Sequence, residues 1–215
     1  MNFEPEIKKL PTTKTARYFL SAPITEKTKQ VWIVLHGYGM HAGIFLHKFK
    51  PLFCDEIIFI APEALNRFYV KGTSGNVGAS WMTKEERLDE INDYIGYLDN
   101  LTMDLNLSQN ITLNVLGFSQ GSSTLARWIS STKYTFNQIV FYAGVFPPDL
   151  ELSFEESVWK NVKIHVLIGN KDEYYEKDKF QNTFKPLEFI NPGINFVEFD
   201  GKHEIIPELL RIYCK

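Results

Sequence analysis

The pentapeptide Gly117-Phe118-Ser119-Gln120-Gly121 constrains this chain more than any other stretch of it. It directly follows Ile111-Thr112-Leu113-Asn114-Val115-Leu116 and directly precedes Ser122-Ser123-Thr124-Leu125-Ala126-Arg127-Trp128-Ile129, so a G-x-S-x-G motif joins an apolar strand to a helix. A strand that turns so sharply into a helix forces the middle residue into strained backbone. The glycines two before and two after it remove Cβ atoms that would otherwise collide. Ser119 is then expected at the C-terminal end of a buried strand, where the following helix aims its free N–H groups at the position of an oxyanion. Without those flanks the same motif is only a Gly/Ser turn in an ordinary strand-helix unit.

The rest of the chain supplies the setting. Short apolar runs at residues 31–35, 57–60, 111–116, 138–142, 163–168 and 195–199 each stop at Gly, Pro or Asp and read as core strands, with 15–22 as an entering antiparallel strand. Helical patterns fall between them at 45–53, 85–105, 122–131, 176–190 and 204–213. In the second of these, acids fill the first turn, and Leu88, Ile91 and Ile95 are spaced to build one buried face. Strand and helix in alternation predict a mainly parallel central sheet with helices on both faces, in one domain spanning 1–215.

A serine nucleophile needs a base, and the base an orienting acid. On folds with this elbow the chain order is Ser, then Asp or Glu, then His. The strand-like run Lys163-Ile164-His165-Val166-Leu167-Ile168 ends in Gly169-Asn170-Lys171-Asp172, which places Asp172 on a loop just past a strand. Glu173 and Asp200 are the alternative acids. His203 follows the alternating run 195–199 and is the one histidine after both Ser119 and the acid. His165 reads as a strand histidine, His41 and His47 as surface or packing residues, and His36 as a loop-shaping residue.

His36-Gly37-Tyr38-Gly39-Met40 closes the strand at 31–35. Acyl transfer requires two N–H donors for the tetrahedral oxyanion, one from the residue after the nucleophile and one from the loop after an earlier strand. By position these are the main-chain amides of Gln120 and Tyr38, and the glycines flanking Tyr38 allow close approach to a substrate. Two longer connections are expected near the pocket, because ligands of open α/β sheets bind beyond the carboxyl ends of the strands. One is 67–80, Gly-rich and read as a loop, with Trp81 as a pocket wall; the other is 145–161, carrying Phe146, Leu150, Leu152, Phe154 and Trp159. Trp81, Phe146, Gly39 and Met40 are the candidate pocket residues. The second connection is too short for a large cap domain, which predicts an open site suited to short and medium acyl groups.

Together, His36-Gly37-Tyr38-Gly39, Ala61-Pro62, Ser80-Trp81, Gly117-Phe118-Ser119-Gln120-Gly121, Gly169-Asn170-Lys171-Asp172 and Gly201-Lys202-His203 resemble the phospholipase/carboxylesterase family of α/β-hydrolases, which includes the acyl-protein thioesterases. The resemblance runs from about residue 30 to 210. It implies an α/β-hydrolase fold and a serine hydrolase of carboxylic esters or thioesters that needs no metal and no organic cofactor. Two positions depart from the family pattern. Ser122 follows the elbow where Gly or Ala is usual, and Thr83 stands where an acid is usual, which bears on substrate identity more than on the chemistry. A peptidase or transacylase on the same triad, and a binding module without turnover, are the competing readings.

Composition sets the remaining bounds. A chain of 215 residues buries roughly 70% of its unfolded surface as one domain. A net charge of -3 argues against a nucleic-acid partner, which would need a basic face. The polar, acidic start Met1-Asn2-Phe3-Glu4-Pro5-Glu6 lacks the apolar core of a signal peptide, and no apolar run is long enough to span a bilayer, so a cytoplasmic protein without membrane insertion is expected, as monomer or homodimer, acting on a small-molecule substrate. Cys54 and Cys214 are then expected as reduced thiols.

Overall fold

A computed structural model describes residues 4–152 and 158–214. The strands β2 (Gln30–Leu35), β3 (Ile57–Pro62), β6 (Thr112–Phe118), β7 (Gln138–Tyr142) and β8 (Lys163–Gly169) are runs of apolar residues whose interiors are buried. Strands apolar on both faces suit a parallel sheet covered by helices on each side. With β1 (Tyr18–Leu20) and β9 (Asn195–Phe199) they form a seven-stranded sheet in the order β1-β3-β2-β6-β7-β8-β9. Every pairing is parallel except β1 with β3, so the entering strand is antiparallel, as its position outside the alternation predicts.

This order places the site. From β2 the chain moves outward to β3, returns to β6 on the other flank of β2, and then proceeds steadily to β9. The direction reverses between β2 and β6, and the crevice at such a switch point is where open α/β sheets bind ligands. The register aligns Leu35 with Gly117, so the loop after β2 and the elbow after β6 leave the sheet side by side. Right-handed crossovers then put α1 (Ala42–His47), which links β2 to β3, on the face opposite α3 (Gln120–Ser131), which links β6 to β7 in the other direction.

The helices differ in detail from the sequence reading. α1 starts earlier than expected because His41 caps it, its Nδ1 accepting the Gly43 and Ile44 N–H groups at 3.1 and 3.4 Å; a single 3-10 turn, Lys50–Leu52, completes the segment. In α2 (Arg87–Asp104) the buried face runs through Ile91, Tyr94, Leu98 and Leu101, while Leu88, predicted to join it, is exposed in the first turn before the helix reaches the core. Asp99 ties α2 to α3, its Oδ1 accepting from Trp128 Nε1 at 2.8 Å and from the Thr132 hydroxyl at 2.5 Å. α5 is only Pro207–Leu210, because Pro207 has to sit in a first turn.

The connection at 67–80, read as a loop, contains a hairpin. β4 (Asn66–Tyr69) and β5 (Val77–Ser80) pair antiparallel, with Gly72 and Gly75 at positive φ in the tip. Glycine content masked two strands of four residues each. Of the segment between β7 and β8, Phe154 lies outside the described residues. The described parts, 143–152 and 158–162, form neither helix nor strand. Among the described residues no helix is long and apolar enough to cross a membrane, and Cys54 and Cys214 are free thiols.

Aromatic packing closes the core beneath α4 (Lys177–Ile190). Phe141 on β7 meets Phe146, Trp159 and Phe184 with ring centroids 6.1, 6.2 and 5.2 Å apart, all four buried. Truncating the ring at the centre of this cluster removes contacts to three neighbours at once. Phe141→Ala is expected to lower unfolding free energy by about 3–5 kcal/mol in urea titration; a loss below about 1 kcal/mol would mean that the cluster collapses around the cavity.

Candidate active site

Ser119 sits between β6 and α3 with φ 54° and ψ −118°, in left-handed space that costs a non-glycine residue about 1–3 kcal/mol. Neighbouring bonds hold it there. Its N–H donates to Tyr142 O on β7 at 2.9 Å, its carbonyl accepts the Ser122 N–H at 3.0 Å, and the Ser122 hydroxyl donates to Gly117 O at 2.6 Å. Ser122, one of the two departures from the family pattern, thus fastens the helix start to the end of the strand. A Cβ on Gly121 would lie 2.3 Å from Leu35 O, so only glycine lets α3 approach β2 this closely.

Asp172 and His203 reach Ser119 because their loops continue the β8–β9 pairing past the strands. Asn170 N–H donates to Phe199 O at 2.8 Å and Lys171 N–H to Gly201 O at 2.9 Å. Beyond His203 the chain is anchored by the Ile206 N–H, which donates to the Tyr142 hydroxyl at 3.0 Å. The side chains then meet in line. His203 Nδ1 is 2.7 Å from Asp172 Oδ2, and His203 Nε2 is 3.0 Å from Ser119 Oγ. The second carboxylate oxygen of Asp172 accepts the Tyr174 N–H at 2.9 Å, so the buried carboxylate is held at both oxygens. An acid at Nδ1 selects the tautomer whose proton lies there and leaves the Nε2 lone pair facing the serine hydroxyl.

Of the two alternative acids, Glu173 is exposed, and Asp200 pairs with Lys171 at 2.6 Å, a bond that holds its carboxyl below the usual range. The other histidines lie elsewhere. His165 packs on Tyr213 with centroids 4.2 Å apart, His41 caps α1, and His47 is exposed.

His36 shapes the loop it begins. It is fully buried; its Nδ1 donates to Gly37 O at 2.7 Å, and its Nε2 accepts the Ala64 N–H at 3.1 Å. Burial pushes its pKa down to about 4, so it is neutral at ordinary pH. The loop runs close to Ser119, since a Cβ on Gly37 would lie 3.2 Å from Ser119 Cβ. Strand β5 grips it from outside: Gly39 N–H donates to Ala79 O at 2.9 Å, and Ala79 N–H donates to Met40 O at 3.0 Å. The Gly-rich connection is therefore a brace for residues 36–40. Among the described residues no backbone acceptor takes the Tyr38 N–H, and the Gln120 N–H is one of the amides that a helix start leaves without an intrahelical acceptor.

Sequence reading missed the side chain of Gln120. Its Oε1 accepts the Trp81 N–H at 3.1 Å, and its Nε2 donates to Met82 O at 2.8 Å and to the Ser80 hydroxyl at 3.2 Å. The indole N–H of Trp81 donates to His36 O at 2.8 Å. Trp81 and Gln120 thus bolt the loop after β2 to the start of α3. Trp81 and Phe146, expected to face a ligand, are each only 1% exposed; the first is this bolt and the second belongs to the aromatic core. Gly39 and Met40 are partly exposed, and Met40 Sδ lies 3.3 Å from the Cβ position of Gly37, which is itself 3.2 Å from Ser119 Cβ. The Ser80-Trp81 pair, one of the motifs that carry the family resemblance, was the available signal for the bolt, but nothing local says what it binds.

The sequence profile of the phospholipase/carboxylesterase family matches residues 20–214. The chain belongs to this family. No curated protein matches the sequence significantly. Among solved structures, acyl-protein thioesterase 2 of Zea mays superposes with a TM-score of 0.72 at 18% identity, over 93% of this chain and 96% of that one. A carboxylesterase from Mesorhizobium loti gives 0.71 at 13% identity, over 92% and 93% of the two chains. The Bacillus cereus carboxylesterase gives 0.67 at 12% identity, over 93% and 92%. At such identities the structural likeness is one of fold, the α/β-hydrolase fold. Family membership makes the protein a serine ester hydrolase.

Two outcomes follow from the brace and the buried imidazole. A Cβ on Gly78 would lie 2.0 Å from Gly39 O, so Gly78→Ala has to displace residues 36–40 from their place against β5; kcat is expected to fall by about 10²-fold while the far-UV spectrum is kept, and an unchanged kcat would refute the brace. His36 has a folded-state pKa below its unfolded value of 6.5, so its contribution to stability is complete above that pH and is lost as pH falls from there toward about 4. Its imidazole resonances are expected not to titrate between pH 7 and pH 5 in the folded enzyme, and a midpoint near 6.5 would contradict its burial.

Proposed function

We propose that this enzyme hydrolyses carboxylic esters, thioesters included, through an acyl intermediate on Ser119, with His203 as base and Asp172 as the orienting acid. The observation that carries this reading is the unbroken chain of contacts Asp172 Oδ2–His203 Nδ1 at 2.7 Å and His203 Nε2–Ser119 Oγ at 3.0 Å. As Oγ attacks the substrate carbonyl, Nε2 takes its proton, and the Asp172 carboxylate stabilises the imidazolium that forms. The tetrahedral oxyanion is held by the amides of Tyr38 and Gln120, whose positions are kept by the β5 brace and by the Gln120 side-chain bolt rather than by the substrate. His203 then protonates the departing alcohol or thiol. The same nitrogen next draws a proton from water, which attacks the acyl carbonyl, and returns that proton to Ser119 Oγ as the carboxylic acid leaves.

The reading makes separable demands on neighbouring residues. A fluorophosphonate is expected to form one adduct, on Ser119, and Ser119→Ala is expected to abolish it and to lower kcat by about 10⁴- to 10⁶-fold with the melting temperature little changed. An adduct at any other residue, or turnover by the alanine variant, would refute the assignment. Asp172→Asn is expected to reduce kcat by up to about 10⁴-fold because the imidazole would take the wrong tautomer, whereas Asp200→Asn removes only an exposed ion pair with Lys171 and leaves kcat within about twofold. The reverse ranking in a steady-state ester assay would move the acid to Asp200.

A further inference from the structure

Two aromatic rings flank the His203 imidazole, each with its centroid 4.9 Å away. Phe118, the last residue of β6, is buried and forms the inner support of the site. Tyr174 stands at an interplanar angle of 73° and is 75% exposed. A tyrosine that keeps most of its surface in water contributes little to the core. Nor does the acid need its ring, because the bond to Asp172 Oδ1 comes from the main-chain N–H of residue 174, which any residue but proline provides. What remains is an open aromatic surface on the solvent side of the base.

The chemistry of acyl transfer states which part of a substrate arrives there. His203 Nε2 has to hand its proton to the departing oxygen or sulfur, so the leaving group sits on the imidazole side of Ser119, while the carbonyl oxygen turns toward the amides of Tyr38 and Gln120. Resting on the acyl-enzyme reading above, we infer that Tyr174 is the wall of the leaving-group subsite and that it favours esters and thioesters whose departing alcohol or thiol carries a flat aromatic or apolar body. Such a body laid on the exposed ring removes apolar surface of both partners from water. A methoxy group is too small to cover it.

The test uses esters that share one acyl group, butyrate, and differ in the alcohol: methanol, phenol and 2-naphthol. All pass through the same butyryl-enzyme, so its hydrolysis is common to the series, and contacts to the leaving group act on the acylation step, which kcat/KM reports free of deacylation. Tyr174→Ala is expected to lose about five- to tenfold in kcat/KM on 2-naphthyl butyrate and roughly twofold or less on methyl butyrate, with the rate of butyryl-enzyme hydrolysis unchanged. Tyr174→Phe, which keeps the ring, is expected to match the wild type throughout. An equal loss on all three esters would show that the ring merely positions His203 and would overturn the subsite, as would an undiminished rate on the naphthyl ester. If the wild-type protein cleaves none of them and takes no fluorophosphonate on Ser119, the esterase reading falls and the subsite with it; labelling at Ser119 with a response independent of leaving group overturns the subsite alone.

Discussion

The left-handed backbone at Ser119 is the constraint on which the rest of the site depends. A serine at φ 54° is unfavourable by about 1–3 kcal/mol, and the fold holds it there from three directions: β7 accepts its N–H, α3 begins on its carbonyl, and β2 lies against Gly121. Each hold requires a small residue or a buried hydrogen bond at one position. The turn therefore fixes the approach of α3 to the sheet, and with it the place of the Gln120 amide. It also lifts Oγ clear of the strand ends, where a side chain from a distant loop can reach it.

The groups around Ser119 are held by bonds made away from the substrate. The Gln120 side chain bonds to Trp81, Met82 and Ser80, so the residue whose amide is proposed as an oxyanion donor is fixed by its own side chain. His36 is held in the same way, since both ring nitrogens are engaged and burial keeps it uncharged at the start of the loop that approaches Ser119. Preorganised donors of this kind do not have to be reoriented when charge develops, which is the main electrostatic advantage of a folded site over water.

A second clamp lies beyond the reacting groups. Asp149 accepts from Arg127 on α3 at 2.8 Å and from Arg87 on α2 at 2.7 Å, fastening the segment that follows β7 to both helices. That segment passes directly beside the elbow: a Cβ on Gly144 would lie 2.4 Å from Ser119 O. The backbone around Ser119 is thus held on one side through residues 36–40 and the β4–β5 hairpin and on another through the two ion pairs of Asp149, while the rings of Tyr38 and Tyr174 stay exposed.

The turn at Ser119 between strand and helix, the places of Asp172 and His203 on loops past strands, and the alternation of strand and helix were all legible in the sequence, because each is a local pattern: a motif with its flanks, a loop after a strand, an apolar period. Asp172 could be preferred over Glu173 and Asp200 only by its place just past a strand; the contact with His203 depends on the β8 and β9 loops pairing beyond the sheet. The hairpin at 66–80 escaped the reading since its strands are only four residues each around a Gly-containing tip, and its partner is a loop far earlier in the chain, Gly39–Met40 against Ala79. Trp81 and Phe146 were assigned to the pocket for the same reason that Leu88 was assigned to the core. Aromatic and apolar residues declare that they will be buried or will bind, but which of the two, and against what, is decided when helices and strands from distant parts of the chain meet. Local sequence determined the motif and the residue types this protein carries, and only tertiary packing decided which of their side chains meet and which are buried.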